Sequence, residues 1–171
     1  MREIHVRLNS SSVNAAIRNL TAYREWVDRK GRELALKLAE AGVQVARIKF
    51  AGAIYPGEYD VIVDVVPNGS GYSIVASGQT VAFIELGTGI RYPEGAYAAV
   101  TGTAHGTYGQ GRGASPKGWF YKGEPGNGGV PSETVPGLVH TYGNPPANAM
   151  WGATQEMQNK LVQIAREVFS K

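Results

Sequence analysis

The chain has 171 residues, 17 of them basic and 14 acidic, and it contains no cysteine. That length suits one domain whose core needs no cross-link, and the missing thiols exclude disulfides, zinc ribbons, iron–sulfur sites and thiol catalysis. A formal charge of +3 is too small to imply a dedicated nucleic-acid or membrane surface. No apolar run approaches the ~18 residues that span a bilayer and the first residues lack a signal-peptide core, so a soluble protein of a reducing cytosol is expected.

Taken in chain order, residues 3–8 alternate as a short strand with Ile4, Val6 and Leu8 on one face, and Ser10-Ser11-Ser12 offers hydroxyls to cap a helix. Val13, Leu20, Val27, Leu34, Ala41 and Ile48 then recur every seven residues, interleaved with Ile17, Arg24, Gly31, Leu38 and Val45. The spacing predicts one amphipathic helix over 12–49, roughly 57 Å long, with a bend or break at Gly31. Such a helix outruns a globule whose radius of gyration is about 15–16 Å. Two covers suit the seam, the chain's own sheet and a neighbouring subunit, along different stretches.

A β-hairpin follows, with strands over 59–66 and 72–77 and a turn at 67–71 built on Asn68-Gly69. Val61, Val63 and Val65 share its apolar face. Asp60 and Asp64 share the other, which is expected to be solvated. Residues 81–86 read as a short helix stopped by Gly87-Thr88-Gly89. From 90 to 146 the composition shifts, with fifteen of the 23 glycines lying between 87 and 146. Regular structure is not expected there, yet the aromatics are too many for a passive linker. The organisation is therefore a single domain, 1–171, carrying a Gly/Pro/aromatic-rich insertion over 90–142. A second amphipathic helix over 147–169 closes the chain, its apolar face carrying Met150, Met157, Leu161, Ile164, Val168 and Phe169.

Few residues suggest chemistry. Gly109-Gln110-Gly111-Arg112-Gly113 lacks the strand, helix and Lys-Ser/Thr pair of a phosphate cradle. His5, His105 and His140 have no second ligand at metal-site spacing. No G-x-S-x-G elbow is present. Tyr108, Trp119, Phe120 and Tyr121 could stack bases, but residues 87–146 carry only four basic against three acidic groups. These aromatics fit a subunit interface better. No catalytic residue, metal site or cofactor is expected.

Three stretches carry a resemblance. They are Ala41-Gly42-Val43-Gln44-Val45-Ala46, Val81-Ala82-Phe83-Ile84-Glu85-Leu86-Gly87-Thr88-Gly89, and Gly143-Asn144-Pro145-Pro146-Ala147-Asn148-Ala149-Met150. In this order they resemble the tail-completion, neck or head–tail joining proteins of tailed bacteriophages. The motif residues are Phe83, Glu85, Gly87, Thr88, Gly89, Gly143, Pro145 and Ala147. Two departures stand out: Leu86 replaces a usual aromatic, and Pro145-Pro146 adds one proline.

The resemblance implies an α+β fold, with a long N-terminal and a C-terminal helix packed on a small antiparallel sheet. It implies a non-enzymatic virion protein, assembled in the host cytoplasm as a sixfold ring between capsid connector and tail. Its partners would be further copies of itself and the adjoining neck and tail proteins, with DNA passing the lumen unbound and no membrane. A tail-terminator or tail-tube protein and a small hydrolase are the alternatives.

Two finer expectations follow. Residues 61–86 contain Asp64 and Glu85 and no basic group, whereas residues 1–60 carry ten basic and seven acidic, so the sheet is expected to face the lumen. The block Glu85–Gly89 is expected to be structural, with Phe83 or Ile84 buried beside the last helix, a glycine at positive φ, and Glu85 held by backbone amides or a basic residue.

Overall fold

The computed structural model describes residues 7, 9–53, 60–89, 115–125 and 129–170. Their elements, in order, are α1 (Ser10–Gly52), β1 (Ile62–Asn68), β2 (Gly71–Ser77), α2 (Val81–Leu86), β3 (Trp119–Lys122), β4 (Gly129–Pro131), β5 (Leu138–Thr141) and α3 (Ala149–Phe169). The class is α+β, as the sequence predicts. The antiparallel strands form two sheets, the hairpin β1–β2 and a three-stranded sheet ordered β3-β5-β4. The predicted strand over 3–8 falls outside the described residues, apart from Arg7, which is in no strand.

The first helix begins where Asn9, rather than the serines after it, accepts from the Ser12 amide at 2.8 Å. It runs unbroken through Gly31, so the expected break is absent. A Cβ at Gly31 would meet nothing within 4 Å, and the residue needs no explanation beyond tolerance at an exposed site. The buried face does not follow the heptad seam. Ala39, Gly42, Val43, Ala46 and Phe50 are buried, whereas Ile48 is 71% exposed. At about 100° per residue the centre of that buried face lies roughly 130° around the helix from the Leu34–Ile48 seam. Packing on a local core follows the 3.6-residue period of the helix and need not follow a seven-residue repeat.

One core joins this end of α1 to the rest. Val43, Ala46 and Phe50 pack with Val61 and Val63 from the hairpin, Ile84 from α2, and Ala149 and Ala153 from α3. The apolar face predicted for the hairpin is thus the buried one. The turn is tighter than 67–71, since Pro67 and Asn68 still pair with Tyr72 and Gly71. Helix α3 lies antiparallel along α1. Its Ala153 and Met157 crowd Gly42, where a Cβ would sit 3.0 Å from the Met157 side chain, and its Phe169 meets the Trp26 ring edge-on at 5.7 Å. A glycine is what lets the two backbones approach this closely. Ala149, Ala153, Ile164 and Val168 are buried on α3, while Leu161 and Phe169, placed on its apolar face by periodicity, are 45% and 40% exposed.

The segment over 90–146 departs most from expectation. Regular structure does survive there: β3, β4 and β5 pair in register, Phe120 opposite His140 and Val130 opposite His140 on the other side. Short strands between glycine turns hold because neighbouring strands satisfy the backbone groups.

Candidate functional site

The two motif blocks, more than fifty residues apart, meet in one interlock. Helix α2 ends at Gly87, φ 69°, and Gly89 follows at φ 86°, so both glycines take the positive φ expected of at least one of them. Neither tolerates a side chain: a Cβ would lie 2.5 Å from the Asn144 carbonyl oxygen at Gly87 and 2.2 Å from the Tyr142 carbonyl oxygen at Gly89. Gly143 faces them at φ 118°, its absent Cβ within 1.9 Å of the Thr88 carbonyl oxygen. Thr88 ties the strands of the crossing twice, donating its amide to Asn144 at 2.9 Å and accepting the Asn144 amide on its hydroxyl at 3.0 Å. Ala147 donates to the Ile84 carbonyl at 2.8 Å, and Asn148 to that of Glu85 at 3.3 Å. Pro145 and Pro146 bring the chain to this crossing, where Pro146 abuts Gly87.

Glu85 closes the interlock. It is buried to 5% exposure, and its carboxylate accepts from the amides of Ala149 at 2.7 Å, Met150 at 3.1 Å and Trp151 at 3.4 Å. Those are the first three residues of α3. The first amides of a helix have no partner within it and carry the positive end of its dipole, so a carboxylate is the group that suits them. The residue at the cap position, Asn148, cannot serve: it sits at φ 51°, ψ 44°, makes no side-chain cap bond, and its Oδ1 is buried without a partner. Of the two holds expected for Glu85, backbone amides or a basic residue, the first is observed. Ile84, fully buried in the core with Ala149 and Ala153, is the residue beside the last helix, while Phe83 is half-buried.

Both acids counted as surface charge are otherwise engaged. Asp64 is paired with Arg47 at 2.8 Å, so its charge is matched where α1 meets the hairpin. Glu85 is inside. The charge contrast on which the lumen-facing expectation rests is therefore neutralised at Asp64 and buried at Glu85, and it gives no orientation. The face is solvated as expected, with Ile62 and Asp64 exposed, yet Asp60 on it is also engaged: it accepts from the Thr80 amide at 3.1 Å and from the Thr80 hydroxyl and Gln79 amide, which fastens the hairpin to the start of α2. These bonds, the Thr80 hydroxyl first, hold its carboxyl below the ordinary Asp value.

The aromatic residues split. Phe120 presents its ring outward at 55% exposure and stacks tilted on His140 at 4.7 Å, which in turn meets Tyr142 edge-on at 4.7 Å. Trp119 and Tyr121 are half-buried on alternate positions, and the Tyr121 hydroxyl donates to the Glu124 carbonyl at 3.1 Å. His140 Nε2 lies 2.9 Å from the Lys117 carbonyl oxygen. Tyr108, His5, His105 and the glycine run 109–113 lie outside the described residues. Arg47 had no local sequence signal, because it acts on Val63 and Asp64, residues distant in the chain.

No group of metal-ligating side chains occurs among the described residues, and no helix among them is long and apolar enough to cross a membrane. Comparison of the chain with family models, curated proteins and solved structures gives no match.

Proposed function

We propose that the protein is a non-catalytic assembly subunit that works through contacts with further copies of itself. The observation that carries this is the first third of α1. Helix α3 ends beside Trp26, so residues 10–25 extend about 24 Å past it. Along that stretch Val13, Ile17, Leu20 and Tyr23 are 40%, 55%, 55% and 59% exposed. Large apolar side chains at helical spacing, left open by the chain's own core, are what a subunit interface covers.

The resemblance of the three motif stretches supplies the finer proposal: a ring-forming tail-completion or neck component of a tailed bacteriophage, joining the capsid connector to the tail and letting DNA pass unbound. The interlock supports a structural use of those motifs, since both Glu85 oxygens are taken by backbone amides. Electron microscopy of the concentrated protein, alone and with a connector complex, tests it. Closed rings are expected. Long filaments would place the protein in a tail tube, and a monomer under all conditions would contradict the proposal.

A further inference from the structure

The seven-residue repeat of α1 runs through two different surroundings. Toward the core its positions Leu34, Leu38, Ala41 and Val45 are half-buried. From Val13 to Gly31 every position is exposed: Val13, Ile17, Leu20 and Val27 at 40%, 55%, 55% and 37%, with Arg24 and Gly31 among them. Steps of four and three residues in strict alternation (13, 17, 20, 24, 27, 31) are the pattern of a seam between two helices. Asn14, Thr21 and Tyr23, the exposed residues flanking this seam between Val13 and Arg24, carry no charge. Flanking charges are what select a different chain as partner and what keep like chains apart. Here the one charge to accommodate is that of Arg24, within the seam itself.

We propose that this stretch pairs antiparallel with the same stretch of a second copy, about a two-fold axis between Arg18 and Asn19. Ile17 then meets Leu20 of the second copy, and Val13 meets Arg24. The orientation follows from Arg24. In a parallel pair Arg24 would lie against its own counterpart, and two guanidinium groups in one layer repel. In the antiparallel pair its stem lies along Val13 of the second copy and its head stays at the edge. Asp28 already stands 3.9 Å from it there. The register follows from exposure and from α3. Ile17 and Leu20, the most open aliphatic residues of the stretch, cover each other twice across the axis. The pair is confined to residues 10–27, the part of α1 past the end of α3, which stops beside Trp26. Such a contact is self-complementary and closes as a pair, so a ring built from it holds an even number of subunits and needs a further contact. The inference rests on the self-assembly proposed above and adds the partner element, its direction and its register.

The chain has no cysteine, so single cysteines report the pairing directly. V13C and R24C variants of the full chain, both at exposed sites, are oxidised separately and as a mixture. The mixture is expected to give a disulfide-linked pair containing one of each. Neither variant alone should link, because each residue lies about 16 Å along the axis from its own counterpart. Self-linked V13C and self-linked R24C, without the mixed pair, overturn the antiparallel orientation. No linkage in any mixture of chains that still sediment as an oligomer overturns the pairing and leaves self-assembly standing. A wild-type chain that is monomeric at every concentration overturns both.

Discussion

The interlock at Glu85–Gly89 and the projecting third of α1 are opposite solutions within one small chain. In the first, three glycines, a threonine and a buried carboxylate fix the path of two segments so tightly that no side chain could be added. In the second, a regular helix runs past the core with its apolar residues open. A crossing fixed by backbone fit in one place and uncovered apolar surface in another teach that one short chain can place its glycines where backbones meet and leave large apolar residues outside its core.

The contrast breaks most sharply at the glycines. Gly143→Val is expected to abolish the native fold, because a β-branched residue resists φ 118° and its Cβ would fall on the Thr88 carbonyl. Loss of the cooperative thermal transition checks it. Glu85→Gln should cost about 1–3 kcal/mol, since a buried charge-assisted set of bonds is exchanged for a neutral amide that also points donors at donors. Chemical denaturation measures the loss. At the other region the expected order reverses. Leu20→Lys should change monomer stability by no more than about 0.5 kcal/mol, as exposed substitutions do, yet weaken assembly strongly.

The smallest effect sharpens the boundary of the rigid region. Asp60 has a lowered folded-state pKa, so its bonds to Gln79 and Thr80 stabilise the fold above the unfolded value near 3.8 and are lost as pH falls through the lower folded value. The protection of the Gln79 and Thr80 amides, measured relative to their intrinsic exchange rate at each pH, should therefore fall only in strong acid. A loss of protection already at pH 5–6 would show that the carboxylate is not the tie.

Much of this was legible in the sequence. The helix over 81–86, the hairpin with its valine face and the stop at Gly87 follow from local periodicity and from what glycine permits. The role of Glu85 was also legible, though not its partners: Ala149 is 64 residues away, and no local pattern names it. The seam misled for a physical reason. Its seven-residue repeat marks where a helical partner could run, while the core took the face with the small residues Ala39, Gly42 and Ala46 that allow close approach. The strands between 119 and 141 were hidden because four residues or fewer carry too little periodicity against a background of glycine and proline. The charge argument failed because it counted Asp64 without its Arg47.

The central claim is that residues 10–25 serve assembly and add little to the stability of the single chain. Sedimentation mass and melting temperature of the wild-type chain and of an Ile17→Lys/Leu20→Lys variant, measured over the same concentration range, test it together. The account predicts a discrete oligomer for the wild type and a monomer for the variant, with the variant monomer melting within a few degrees of the wild-type chain diluted to monomer. Equal masses for the two proteins, or a variant that no longer melts cooperatively, would contradict it.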